Sequence, residues 1–288
     1  MLEETNPVDS HILRCMEIWS GDQSVENTVE SPGIEAWISC RPFHGDARGG
    51  DVHYLSLCAG GIVTRILLAD ISGHGEIVAD SSRNLRRLLA RFMNSKSQKR
   101  LVGELNRQFT ELEQTGRFAT AIVATYLSHH HKLLLTNAGH PRPLLFQKAS
   151  GQWKYLNELL VDDRRPLNLP LGIDSTSKYK SSTLSIQSGD WLVMYSDAFT
   201  EVSNVEGTLL GERGLLSLVE KIPLSRTCHQ FGQELLAGVE KYANHSPAND
   251  DATLIVIRFG DSHRTPGIIE RLRGYGKMIG SCFSRSSI

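Results

Sequence analysis

Ile66-Leu67-Leu68-Ala69-Asp70-Ile71-Ser72-Gly73-His74-Gly75 is the stretch on which the fold turns. Its first four residues are apolar and read as the end of a buried strand. Asp70 stands at the tip. Two glycines around His74 then allow a sharp turn and leave backbone carbonyls and amides accessible. Beyond this loop the period changes. From Glu76 to Met93, Ile77, Ser81, Leu85, Leu88, Leu89 and Phe92 fall on one helical face. Upstream, Gly60-Gly61 predicts a hairpin turn. It joins the strand to a partner over Val52–Cys58, which opens with Asp51 behind Gly49-Gly50. In an antiparallel pair the end of one strand lies beside the start of the other. Asp51 and Asp70 are therefore expected at one edge.

The pattern recurs further along. Trp191-Leu192-Val193-Met194-Tyr195 runs through Ser196 into Asp197, and Leu254-Ile255-Val256-Ile257 follows Asp250-Asp251. A single Asp beside Gly at a strand end is usually a turn or cap residue. Four such acids converging on one edge are different, because crowded carboxylates repel unless a cation neutralises them. Oxygen ligands without His or Cys suit Mg²⁺ or Mn²⁺ rather than zinc. An ion on Asp70 could also take the Ile71 carbonyl, since hard cations accept backbone oxygens.

Strands are predicted near Ile34–Arg41, Val52–Cys58, Ile62–Ala69, Phe118–Leu127, Lys132–Asn137, Leu144–Phe146, Trp153–Leu156, Trp191–Tyr195 and Ala252–Phe259. Helices are predicted at Glu76–Met93, Gln98–Gln114, Glu212–Glu220 and Thr227–Ala243. Hairpin spacings with segregated helix pairs indicate an α+β sandwich, not a βαβ repeat. Residues 1–32 read as an N-terminal extension, 33–260 as the domain, and 261–288 as a basic, mobile C-terminal tail. The chain has 288 residues, 40% hydrophobic and 22% charged, with a net charge of −1. That near-neutral balance argues against a nucleic-acid binder. Five cysteines without a CxxC spacing point to reduced thiols and a cytoplasmic protein. No signal peptide is visible, and no run reaches the roughly 20 apolar residues of a membrane span.

The residues carry a resemblance. Gly49-Gly50-Asp51, Asp70-Ile71-Ser72-Gly73-His74-Gly75, Phe118-Ala119-Thr120-Ala121, Asn137-Ala138-Gly139-His140-Pro141, Leu169-Pro170-Leu171-Gly172-Ile173, Tyr195-Ser196-Asp197-Ala198-Phe199-Thr200-Glu201 and Asn249-Asp250-Asp251-Ala252-Thr253 occur in that order. Together they resemble the PPM-type metal-dependent protein serine/threonine phosphatases, in the bacterial branch of sporulation and stress-response phosphatases. The resemblance implies an α-β-β-α sandwich of two mainly antiparallel sheets flanked by helix pairs. It implies two Mn²⁺ or Mg²⁺ ions, with Asp70 bridging both. Asp51 and the Ile71 carbonyl would serve one ion, and Asp197 and Asp250 the other, with Asp251 as the alternative to Asp250. It also implies hydrolysis of phosphoserine or phosphothreonine by a metal-bridging water, with His74 as a proton donor or loop-positioning residue. The implied substrate is a phosphorylated regulatory protein such as an anti-sigma-factor antagonist.

One departure stands out: the family's usual glycine after the third metal aspartate is Ala198, whose methyl disfavours a positive φ. A phosphoprotein-binding module with weak turnover and a small-molecule phosphoesterase therefore stay open as alternatives. Regulation is left to a partner, the leading segment, homodimerisation or the tail. Arg83, Arg87 and Arg91 recur at i, i+4 and i+8 on the helix after the metal loop. They are either a solvated face or a docking face for an acidic phosphoprotein.

Overall fold

Side-chain alternation explains the layering of this molecule. The computed structural model describes residues 10–59, 61–73, 78–92, 95, 97–113, 116–156, 168–246 and 250–260. Thirteen strands are present among them: β1 (Ser10–Ile12), β2 (Ile18–Gly21), β3 (Val25–Ser31), β4 (Ile34–Arg41), β5 (Asp51–Cys58), β6 (Val63–Ile71), β7 (Ala119–Leu127), β8 (Lys132–Ala138), β9 (Leu144–Gln147), β10 (Gln152–Tyr155), β11 (Ser182–Ser185), β12 (Trp191–Tyr195) and β13 (Ala252–Phe259). The helices are α1 (Ala79–Phe92), α2 (Gln98–Leu112), α3 (Ala198–Glu201), α4 (Gly211–Val219) and α5 (Cys228–Tyr242).

A seven-stranded sheet runs β1-β3-β4-β13-β12-β9-β10, and a six-stranded sheet runs β11-β8-β7-β6-β5-β2. All pairings are antiparallel except β1 with β3. Successive strand residues face opposite sides. In β6, Ile66 and Leu68 pack against the other sheet with Leu55, Ile122, Leu192, Ile255 and Ile257. Leu67 and Ala69 pack instead under Leu85, Leu89, Leu101, Leu105 and Phe109 of α1 and α2. On the far side, Trp37, Val193 and Val256 pack against Leu215, Phe231 and Leu235 of α4 and α5. Three apolar layers thus separate four structural layers, the α-β-β-α sandwich expected from the sequence.

Local signals start the longer helices. The Ser97 side chain accepts from the Arg100 amide at the start of α2, and Thr227 and Gln230 form a capping box on α5. No helix among the described residues is long and apolar enough to cross a membrane.

The reading of residues 1–32 as an extension is corrected from residue 10 onward. β1 and β3 belong to the seven-stranded sheet and β2 to the six-stranded one. Their lengths of 3, 4 and 7 residues and mixed burial hide the period-2 signal. The turn glycine Gly60 and the tail 261–288 lie outside the described residues.

Candidate active site

The parity that builds the core also builds the site. In β5, Leu55 and Leu57 face the seam between the sheets, so Asp51, two and three steps of two away, faces the same seam. In β6 the seam residues are Ile66 and Leu68, and the next one is Asp70. In β7 they are Ile122 and Ala124, and the preceding one is Thr120. Register then aligns these three: Asp51 opposes Asp70, and Asp70 opposes Thr120. Directly opposed residues hold their Cβ atoms about 4.5–5.5 Å apart. The row lies where the apolar seam ends.

The facing sheet closes this edge. Asp197 follows β12 and precedes α3, while Asp250 and Asp251 precede β13. β12 and β13 are paired, with Tyr195 opposite Leu254. The Ser196 amide donates to the Thr253 carbonyl at 3.0 Å, and the Thr253 amide donates to Ser196 Oγ at 2.9 Å. These contacts fix the loops that carry the second set of acids.

The electrostatics mark the cluster. Asp51 is 1% exposed, and its Oδ2 has no hydrogen-bond partner. Burial first, and then the Asp70 charge, push its carboxyl well above the usual carboxylate range, while the Thr253 and Ser196 hydroxyls pull the other way. Asp70 is pushed up to about 7 by burial and then by Asp197, Asp250, Asp251 and Glu201. Asp197 is raised by burial, Glu201 and Asp250. Glu201, which the sequence motif contains without an assigned role, thus belongs to the same field, one helical turn after Asp197.

Asp250 and Asp251 have different surroundings. Asp251 is buried, and its Oδ1 accepts from the Phe43 amide at 2.7 Å while Oδ2 accepts from the Gly50 amide at 2.5 Å. Asp250 is exposed, and its Oδ1 accepts from the Asp251 amide at 2.8 Å. The two glycines before Asp51 make this approach feasible. A Cβ on Gly49 would lie 2.5 Å from Asp251 Oδ1, and one on Gly50 would lie 2.9 Å from the Ile71 carbonyl oxygen. The Ile71 and Gly73 carbonyls therefore crowd the start of β5.

All these donors are hard oxygens, one of them an orphaned buried carboxylate oxygen, and their uncompensated charge fits a divalent cation. Among the described residues no three acidic, imidazole or thiol groups converge around one point.

Ala198 takes the first position of α3 and is not among the residues with positive φ. Its methyl therefore meets no backbone strain. His74 and Asn249 lie outside the described residues. Arg83, Arg87 and Arg91 are exposed along α1. Arg83 pairs with Asp80 at 2.6 Å, and Arg91 donates to Gln108 of α2 at 3.2 Å.

Two features were not read from the sequence. Asp22, just after β2, is fully buried and faces Arg86 at 3.3 Å and Arg48 at 3.6 Å. Its carbonyl accepts from the Gly49 amide at 2.8 Å. Ser20-Gly21-Asp22 has the same Gly-Asp signature as Gly50-Asp51, which is the one signal that could have found it. Second, an open cleft of 390 Å³ lies against Asp197. It is lined by Thr120, His140, Tyr195, Glu201, Arg142 and Glu212 among others.

Residues 61–260 match the family of the stage II sporulation protein E (SpoIIE). The phosphoserine phosphatase RsbU of Bacillus subtilis (strain 168) is 24% identical over 158 residues, covering 55% of this chain and 44% of RsbU. The chain thus spans less than half the length of that relative. Solved RsbU and RsbW domains from Mycobacterium tuberculosis superpose with a TM-score of 0.66 at 19% identity, over 90% of this chain and 72% of that one. RsbX in complex with magnesium gives 0.59 at 18% identity, over 82% of this chain and 100% of RsbX. The PP2C phosphatase domain of Bacillus subtilis SpoIIE, solved with a fragment of its regulatory domain, gives 0.64 at 16% identity, over 80% and 64%. These structures share the fold.

Proposed function

Because the chain belongs to the SpoIIE family, we propose that it is a divalent-metal-dependent phosphoprotein phosphatase acting on phosphoserine or phosphothreonine. One observation carries the reading: Asp51 and Asp70 oppose each other across β5 and β6 at the seam edge, both with raised pKa and no cationic partner among the described residues. A purely structural site would neutralise such charges with arginine or lysine.

Asp70 would hold two ions, Mn²⁺ or Mg²⁺. Asp51 and the Ile71 carbonyl would complete one site, and Asp197 and Asp250 the other. Asp250 is favoured because both oxygens of Asp251 are already taken by backbone amides. Asp251 acts indirectly, holding Phe43 and Gly50 so that Asp51 is presented to the seam. When bound, the ions supply the charge that activates water and stabilises the phosphoryl oxygens. The cleft beside Asp197 gives a phosphorylated side chain room to approach. Magnesium in RsbX and the phosphoserine activity of RsbU support this reading. As the resemblance of the motifs implies, the proposed substrate is a phosphorylated regulatory protein, such as an anti-sigma-factor antagonist, and the proposed location is the cytoplasm.

The test is release of phosphate from a phosphoserine regulatory protein and from an aryl phosphate, each with Mn²⁺ and with chelator. Metal-dependent turnover of both, with the protein preferred, is expected. Binding without turnover would convert the reading to a phosphoprotein-binding module. Turnover of the aryl phosphate alone would convert it to a small-molecule phosphoesterase.

A further inference from the structure

Two sequence motifs meet beside the acid row without a part in the reading so far: Phe118-Ala119-Thr120-Ala121 and Asn137-Ala138-Gly139-His140-Pro141. Thr120 opposes Asp70 on the seam face. Its Oγ1 lies 2.8 Å from His140 Nδ1. His140 is 5% exposed and locked at its backbone, its amide donating to Asn137 Oδ1 and its carbonyl accepting from Asn137 Nδ2, both at 2.7 Å. Its Nε2 makes no aligned hydrogen bond, but the Tyr195 backbone acts on the ring as an acceptor.

Burial lowers its pKa to about 3, with the Tyr195 backbone pulling weakly upward. The ring is therefore neutral, with one N–H and one lone pair. With Nδ1 engaged by Thr120, an acceptor at the Tyr195 backbone places the proton on Nε2 in the arrangement proposed below. Nδ1 is then an acceptor, and the Thr120 hydroxyl must donate to it. This leaves the Thr120 oxygen with only lone pairs for the cleft, which Thr120, His140 and Asp197 line together.

We propose that Thr120, oriented by His140, is a positioning residue that accepts a hydrogen bond from the attacking water beside Asp70. The inference rests on the phosphatase reading. It assigns the hydroxyl one direction: it fixes where the water's lone pair points and does not donate to the substrate. The proton of that water goes to solvent or to a general base, not to Thr120, which stays neutral throughout.

Two measurements test it. Ring-¹⁵N NMR of the full chain should show His140 protonated at Nε2, with its Nδ1 signal shifting in Thr120→Val. Protonation at Nδ1 overturns the proposal, whether or not the protein has activity. For turnover, Thr120→Val should lower kcat about tenfold to a hundredfold, as misplacement of a reacting group does, with KM and calorimetric Mn²⁺ affinity near wild type. Thr120→Ser should restore kcat to within about threefold, a difference well below 1.4 kcal/mol in barrier. Equal losses in Val and Ser variants would assign Thr120 a packing role and overturn the proposal, as would a parallel loss of Mn²⁺ affinity. A wild-type chain without turnover would sink the phosphatase reading, while the tautomer still decides the donor direction of Thr120.

Discussion

Two buried aspartates, each behind a glycine, meet opposite electrostatic fates. Asp22 follows β2 and faces Arg48 and Arg86. Asp51 opens β5 and faces another carboxylate, Asp70. Both are at most 1% exposed. Burying a charge is costly unless it is paired, and the two sites resolve that cost differently. Asp22 is compensated from within the chain, tying α1 and the Arg48 loop to β2. Asp51 has no cationic group beside it among the described residues, which is the basis for proposing a metal there. On the reading proposed, the contrast separates structural acids from ligand acids more sharply than burial alone.

The largest effect should come from the uncompensated side. Asp70→Asn should remove nearly all metal-dependent phosphatase activity while the fold persists, because one fewer carboxylate relieves repulsion in the metal-free protein. Retention of more than about a tenth of the rate, roughly 1.4 kcal/mol of barrier, in a steady-state assay would break the comparison.

Next in size is the compensated side. Asp22→Asn should destabilise the chain by about 2–3 kcal/mol in urea unfolding. That is below the ~3–5 kcal/mol typical of breaking a fully buried pair, because both guanidinium groups keep some solvent contact. Asp51→Asn should leave metal-free stability unchanged or raised. Equal destabilisation by the two substitutions would show that Asp51 has a hidden partner.

The same comparison has a pH signature. Asp70 titrates near 7 in the fold and near 3.9 when unfolded. The folded chain therefore holds the extra proton between these values. This contribution is fully present below about pH 4 and is lost as pH rises to about 7. In chelator, stability should thus fall between pH 5 and 7.5, measured by denaturant midpoint. Asp70→Asn or saturating Mn²⁺ should flatten that slope. A slope that survives both would assign the effect to other groups.

A finer split concerns neighbours. Asp250→Asn should lower Mn²⁺-dependent turnover more than Asp251→Asn, whereas Asp251→Asn should cost more stability, since it loses charge-assisted bonds from Phe43 and Gly50. The reverse order in turnover would move the ligand role to Asp251. The smallest effect belongs to the exposed arginines. Gln at Arg83, Arg87 and Arg91 should slow turnover of an acidic phosphoprotein at low salt and leave aryl phosphate hydrolysis unchanged. No change with either substrate would mark them as a solvated face, screened within roughly 8–10 Å.

Much of this was legible in the chain. β4, β12 and β13 begin and end where the sequence predicts, because β12 is a continuous apolar run and β4 and β13 are predominantly apolar segments. Parity then carries Asp51 and Asp70 to the seam. What escaped were contacts distant in sequence or short in extent. Asp22 and Arg86 are 64 residues apart, and nothing local marks them as partners. Thr120 and His140 meet only because the isolated bridge from Ala121 to Gly139 brings two motifs together. β11, four residues of alternating half-buried and exposed positions, offers too few residues for periodicity to register. The motif order favours Asp250 over Asp251, but the backbone amides of residues 43 and 50 that occupy Asp251 lie too far away in sequence to be read from it.

The leading strands have a practical consequence for anyone trimming this chain. β3 covers the flank of β4 in one sheet, and β2 covers the flank of β5 in the other. A fragment beginning at Gly33, where the sequence pattern places the start of the domain, would strip both sheets at once. Each would then present a long row of unpaired amides and carbonyls, the template on which chains zip into aggregates. The β5 flank so bared would be the strand that begins with Asp51. Such a fragment should sediment as polydisperse material, and any inactivity it showed would report on lost solubility instead of lost chemistry.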